Sequence, residues 1–122
     1  MDKNEMIAYF DRCAPRWDRE NRADPAVVEA ILDNAQVGEG QDVLDVACGT
    51  GVLFPYYLER KVSSLTAIDL SPAMVNIAGE KAAEAPNVTL VCGDAEAWKP
   101  DKKFDCIVVY NAFPTFPIPS GC

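Results

Sequence analysis

The stretch Val43-Leu44-Asp45-Val46-Ala47-Cys48-Gly49-Thr50-Gly51 limits what this chain can fold into more than any other. A short apolar run ends in an acid, enters a loop with two glycines, and continues as an amphipathic segment. The pattern reads as a buried strand delivering the chain into a tight turn at a helix N-terminus. Glycine has no Cβ, so such a turn can take positive φ and a ligand can approach its backbone. The helix start behind it offers unpaired N–H groups to an anionic group. In an open α/β sheet, ligands bind beyond the carboxyl ends of the strands, and this loop lies at such an end.

Glycine spacing separates the candidate ligands. A dinucleotide fingerprint asks for G-x-G-x-x-G, but its third position here is Phe54, too bulky for the close helix–strand packing that glycine permits. No G-K-[ST] follows, so a phosphate loop of the Walker type is excluded. A glycine-rich turn with no ligand and a nucleotide-cofactor domain remain as alternatives.

Composition removes further classes. The 122 residues contain no histidine, which excludes a Ser-His-Asp triad, a Cys-His pair and a histidine zinc site. No metal site is expected. A net charge of −8 makes neither nucleic acid nor an anionic membrane an electrostatic partner. No long apolar run and no signal-peptide pattern is present, so neither a membrane span nor secretion is expected. The five cysteines (13, 48, 92, 106 and 122) are odd in number and lack C-x-x-C spacing. They read as small buried hydrophobes in a reducing, cytoplasmic compartment.

Hydrophobic periodicity predicts alternating elements. Met6, Tyr9, Phe10 and Cys13 share a helix face that ends near Pro15. Asp24-Pro25 starts a second helix, with an acid at the N-cap and proline at the first helical position. Its apolar face is Val27, Val28, Ile31, Leu32 and Ala35, and Gly38 and Gly40 end it. The first strand covers Asp42–Val46. Leu53, Phe54, Tyr57 and Leu58 form the inner face of the following helix. Leu65–Ile68 is the second strand, and Ser71-Pro72 opens a helix bearing Met74, Ile77 and Ala78. Val88–Cys92 is the third strand, and Lys99–Lys103 a polar turn. Cys106–Tyr110 is a fourth, near-continuously apolar strand, of the kind found in parallel sheets covered on both faces. Strands alternating with helices argue for a parallel sheet with right-handed crossovers. Pro114, Pro117 and Pro119 make the tail non-helical and extended.

The three strand ends each carry an acid: Asp45, Asp69 and Asp94. Asp69 follows Asp45 by 24 residues and either accepts hydrogen bonds from ribose hydroxyls or caps the helix at Ser71. Asp94, after Gly93, is otherwise an ordinary turn residue. The pattern Asp-x-x-x-Gly-x-Gly, together with these three acids, resembles class I S-adenosylmethionine (SAM)-dependent methyltransferases, of the small-molecule, quinone-methyltransferase-like kind. The resemblance covers nearly all of residues 5–119. It implies a Rossmann-like α/β fold with about four mostly parallel strands in the order 3-2-1-4 and helices on both faces. It also implies SAM as cofactor, with S-adenosylhomocysteine (SAH) as product.

By that resemblance, Asp45, Ala47, Cys48, Gly49 and Gly51 form the cofactor loop and Asp69 holds ribose. Leu70 and Met74 wall the adenine or are simply core. Asp94 meets the adenine amino group, and the Ala95 N–H meets a ring nitrogen. Phe104-Asp105 and Tyr110-Asn111-Ala112-Phe113-Pro114 resemble the motif that passes the methionine end, with Asn111 as its contact residue. Relatives often carry a histidine after the Phe-Pro pair; Thr115 stands there, so no catalytic base is identified. Tyr9, Phe10 and Trp17 either close a lid over the cofactor or pack a helix onto the domain.

The resemblance divides residues 1–122 into a lid helix (1–22), a Rossmann-like core (23–112) and a proline-rich tail (113–122). A complete class I domain continues with a further strand, helices and a final hairpin, which carry much of the acceptor site. The chain therefore reads as a truncated domain, the cofactor-binding half. Methyl transfer to a small-molecule acceptor would need completion by a partner or second copy. A binding module without turnover and an inactive fragment are the other readings. An apolar strand four at a free edge predicts a homodimer through that strand or the tail.

Overall fold

A computed structural model of the chain describes residues 2–20, 24–46, 48–100 and 102–109, apart from the side chains of 3 and 17–20. The expectations for Ala47, Tyr110, Asn111 and the tail lie outside the described residues, as does that for the Trp17 side chain. The order is α1 (Lys3–Glu20), α2 (Pro25–Asn34), β1 (Asp42–Val46), α3 (Phe54–Glu59), β2 (Ser64–Asp69), α4 (Pro72–Lys81), β3 (Val88–Cys92) and β4 (Cys106–Val109).

The four strands form one parallel sheet in the order β3-β2-β1-β4, as expected. Val43 faces Leu65 and Cys106 across the two ladders of β1, and Ala67 faces Leu90. Side chains alternate across a strand, so Val43, Leu65, Ala67 and Val108 share one face. They form a core with Val28 and Leu32 of α2, Phe54 and Tyr57 of α3, and Ala78 of α4. A smaller cluster joins Cys13 and Ala14 of α1 to Met74 of α4, with Tyr9, Phe10 and Ile77 against it. Among the described residues, no helix is long and apolar enough to cross a membrane.

Local chemistry accounts for the element starts. Asp24 caps α2 by accepting the Ala26 N–H at 3.0 Å, with Pro25 at the first helical position. Ser71 caps α4 by accepting the Met74 N–H at 3.2 Å, ahead of Pro72. At the amino end of the sheet, the Asp42 N–H donates to Asp105 Oδ2 and the Asp105 N–H to the Asp42 carbonyl, both at 2.8 Å. Asp42 also accepts the Ser64 hydroxyl at 2.6 Å, which holds its carboxyl below the usual range. Arg60, after α3, reaches Glu29, Asp33 and the Val37 carbonyl and so ties α3 to α2.

Four expectations need correction. Helix α1 runs through Pro15 instead of ending near it. An interior proline costs one helical hydrogen bond, but the neighbouring Cys13 and Ala14 are wholly buried against α4, and that packing prevails. Val27 is 47% exposed, because the buried stripe of α2 is Val28 and Leu32, four residues apart. Among the described residues, strand β4 is covered on one face only: Val108 is buried, while Ile107 and Val109 are 62% and 66% exposed. The described helix residues that share its core all lie on the Val108 side.

The fourth concerns the end of α2, which Gly38 and Gly40 do not set. The left-handed residue is Gln36, at φ 60°. Its N–H donates to the Asp33 carbonyl and that of Val37 to Leu32, both at 3.0 Å, a Schellman pair of bonds. The buried contact of Val37 with Leu32 holds Gln36 in a conformation that favours glycine. Gln36→Gly is therefore expected to raise stability by about 0.5–1 kcal/mol, less strain being partly offset by a more flexible unfolded chain. Urea unfolding checks this; an unchanged or lower midpoint would show that the position carries no strain.

Candidate functional site

Parallel strands send their carboxyl ends the same way, so the loops after β1, β2 and β3 meet on one side of the sheet. Asp69, the last residue of β2, connects them. Its Oδ2 accepts the Gly49 N–H at 2.9 Å, from the loop after β1. Its Oδ1 accepts the Ser71 N–H at 3.0 Å, at the start of α4. Its main-chain carbonyl accepts the Gly93 N–H at 2.9 Å, from the loop after β3. A fourth bond, from the Cys48 N–H to the Ile68 carbonyl at 3.1 Å, pins the loop after β1 to β2.

The glycine loop has the geometry its sequence requires. Gly49 and Gly51 take φ of 59° and 82°. A Cβ on Gly51 would stand 2.9 Å from the Phe54 ring, which fills the space beneath the loop. Phe54 thus occupies the room in which a dinucleotide fingerprint would pack its third glycine. The ring is buried and anchors the first turn of α3.

Burial sets the electrostatics. Asp45 is 2% exposed, and burial pushes its carboxyl up to about 8, with the Asp69 charge adding to the rise. Asp69 is also raised by burial, against the opposing pull of the Ser71, Gly49 and Leu70 N–H groups. Burial raises the Cys48 thiol and the Tyr57 hydroxyl as well, with the charge of Asp45 second in each case. Tyr57 Oη is buried and has no hydrogen-bond partner among the described residues. Sequence reasoning placed Tyr57 only on an apolar face; nothing in its periodicity marks its closeness to Asp45.

Asp45, Cys48, Gly49, Gly51 and Asp69 are therefore brought together. Asp94 follows Gly93 into the same region, where its Oδ1 accepts the Glu96 N–H at 2.9 Å and its carbonyl closes the turn to Ala97 and Trp98. The turn reading of Asp94 is satisfied by these bonds. Asp69 also serves the start of α4, through the Ser71 N–H, although Ser71 is the side-chain cap. Leu70 and Ala95 are half-buried. Met74 is wholly buried between α1 and α4. Asp105, expected near the functional end of β4, lies at the opposite end and locks β1 to β4. Ala47 and Asn111 lie outside the described residues. Among the described residues, no group of His, Cys, Asp or Glu is arranged to hold a metal ion.

Ser71, read from the sequence only as the start of a helix, and Asp11, given no role there, join this region. Ser71 is fully buried and gives its hydroxyl proton to Asp11 Oδ1, at 2.5 Å. The Ala73 N–H donates to the same oxygen at 3.0 Å. The two aspartate contacts are separated by 60 and 62 residues, beyond the range of any local motif.

Comparisons with known proteins show the family of the chain. Residues 43–120 match a family model described as a methyltransferase domain. The malonyl-[acyl-carrier protein] O-methyltransferase 1 of Ilyobacter polytropus is 31% identical over 109 residues, spanning 88% of this chain and 41% of the relative. The demethylmenaquinone methyltransferase of Tropheryma whipplei is 32% identical over 110 residues, spanning 86% and 46%. The solved DhpI–SAH complex superposes with a TM-score of 0.67 at 26% identity, spanning 88% of this chain and 52% of that one. The chain thus spans less than half the length of these two curated relatives.

The buried acids predict a pH response. Asp45 ordinarily titrates at 3.8 and in the fold at about 8, so between these values the folded chain keeps a proton that the unfolded chain has released. Stability is then expected to fall as pH rises through that window and to level off above it. Asp45→Asn keeps the shape, removes the charge and should make the slope shallower. Urea midpoints across the window decide, and equal slopes for both proteins would remove Asp45 as the cause.

Proposed function

Since the chain belongs to the methyltransferase-domain family, we propose that it binds S-adenosylmethionine at the carboxyl ends of β1, β2 and β3. On this reading it is the cofactor-binding part of an enzyme that methylates a small molecule. The observation that carries the reading is the convergence on Asp69 of the loops after β1 and β3 and the start of α4. A glycine loop at positive φ lies beside it, open to the close approach of a nucleoside.

Each candidate residue then has a task. A carboxylate offers about four lone-pair positions. Gly49 and Ser71 take one on each oxygen of Asp69, which leaves acceptor capacity for ribose hydroxyls. Asp94 and the Ala95 N–H are assigned to the adenine edge, and Asn111 to the methionine end. Ala47, Cys48 and Gly51 complete the loop, and Leu70 and Met74 back the adenine side. The donor set fits the cofactor: acids for hydroxyls and an amino group, and free backbone for close approach.

When bound, the cofactor supplies an electrophilic methyl on a sulfonium. The protein contributes binding and alignment, since displacement is in line. A base is needed only for an acceptor that must lose a proton, and none is assigned. The malonyl-[acyl-carrier protein] and demethylmenaquinone named for the relatives support metabolite groups, and not nucleic acid, as the acceptor class. A reducing, cytoplasmic setting is part of the reading, supported by the free thiols of Cys13, Cys48, Cys92 and Cys106.

Calorimetric titration with SAH tests the reading. Saturable one-to-one binding is expected, and Asp69→Ala should weaken it by about 2–3 kcal/mol, a roughly 30–150-fold loss. The control Glu59→Ala, on the exposed side of α3, should bind as the unmodified chain does. Equal affinities for the two variants would remove Asp69 from the site.

The same reading includes a second copy of the chain, meeting the first through β4 or the tail beyond it. The exposed Ile107 and Val109 on an outer strand of the sheet support it. Light scattering across a dilution series should give a dimer, and Val109→Lys should shift it to monomer. A monomer at micromolar concentration for the unmodified chain would end this part of the reading.

A further inference from the structure

We propose that Asp11 of α1 is a positioning residue for the glycine loop, acting through Ser71 and Asp69 to fix Gly49. The effect on affinity rests on the cofactor reading above; the effect on the loop does not.

The chain of bonds is continuous. Asp11 Oδ1 accepts the Ser71 hydroxyl at 2.5 Å and the Ala73 N–H at 3.0 Å. The Ser71 N–H donates to Asp69 Oδ1 at 3.0 Å. The Gly49 N–H donates to Asp69 Oδ2 at 2.9 Å. One helix outside the sheet is thereby connected to the loop after β1 through three side chains.

Each link leaves little choice to the next. Ser71 is fully buried, so water does not replace a lost partner. Its hydroxyl has one proton, given to Asp11, while its oxygen accepts the Met74 N–H. Remove the Asp11 acceptor and that proton must find another. The Asp69 carboxylate, already bonded to the Ser71 main chain, stands next to it. A hydroxyl turned towards Asp69 competes with Gly49 for the same carboxylate. Asp11 prevents this by giving the hydroxyl a separate acceptor.

Packing places Asp11 where this works. Cys13 and Ala14, just beyond it on α1, are wholly buried against Met74 of α4. The backbone of α1 is therefore fixed relative to the start of α4. A carboxylate at that helix start also meets the positive end of the helix dipole.

A merely structural role predicts something different. If Asp11 only glued α1 to α4, any variant that loosened that contact equally would have the same effect. Ile77→Ala is the comparison, since Ile77 packs in the same cluster and touches none of the four bonds. Asn at position 11 retains a carbonyl oxygen where Oδ1 stands and should rescue.

The experiment measures amide hydrogen exchange at Gly49 by NMR, and SAH affinity by calorimetry, in Asp11→Ala, Asp11→Asn, Ile77→Ala and the unmodified chain. In Asp11→Ala, Gly49 exchange should quicken and SAH affinity fall, each by about tenfold, the loss expected for one hydrogen bond to a charged group. Asp11→Asn should stay within about threefold of the unmodified chain. Ile77→Ala should lower the melting temperature and leave both readouts in place. If Asp11→Ala does not fold, Asp11→Leu, similar in shape to aspartate and without an acceptor, carries the test and should quicken Gly49 exchange likewise. Gly49 exchange that matches Ile77→Ala, or an Asn variant as impaired as the Ala variant, overturns the inference. Should the unmodified chain fail to bind SAH while Gly49 still responds to Asp11→Ala, the cofactor reading falls and the positioning role stands.

Discussion

A buried carboxylate is costly unless its oxygens are satisfied, and in this fold one carboxylate is satisfied by the very loops that must meet. Asp69 gains its partners only if the loop after β1 turns at Gly49 and α4 starts at Ser71. Its own carbonyl adds the third loop through Gly93. The penalty of burying the acid and the convergence of the crevice are thus two sides of one constraint. Gly49 at positive φ follows from it, because the amide must point back at β2.

The two ends of the sheet divide the labour. At the amino end, polar groups are spent on one another: Asp105 on Asp42, Ser64 on Asp42, and Lys102 on Ser64. These bonds tie the amino ends of β1, β2 and β4 together. At the carboxyl end, the polar groups belong to turns, around the buried carboxyls of Asp45 and Asp69. Mutual ties between polar groups gather at one end of the strands and loop convergence at the other.

What could be read from the sequence was what local chemistry decides. Asp42–Val46 and Val88–Cys92 were legible as short apolar runs, and α4 as a serine followed by proline. The strand order came from a family resemblance, and the acids of the crevice from their places at strand ends. Where tertiary packing outweighs propensity, the sequence misled. Pro15 reads as a stop, yet the burial of Cys13 and Ala14 carries the helix past it. Gln36 carries no mark of a left-handed residue; the Val37–Leu32 contact imposes that conformation. An apolar run such as β4 reports that a strand is hydrophobic, and not which of its faces meets a helix. Asp11 and Asp105 escaped notice as structural residues because their partners are distant in sequence, and neither periodicity nor spacing encodes such a pairing.

Pro15 has a consequence beyond the length of α1. A proline contributes no N–H, so the carbonyl four residues earlier, that of Asp11, lacks its helical donor. The turn with the weakest internal bonding is therefore the turn whose side chain holds the helix to α4. Left to itself, α1 is least self-supporting at the point where it is most firmly attached. Its middle is helical on loan from the body of the protein, so that coiling and docking are a single event, and a helix peeled away would arrive in solution already half undone.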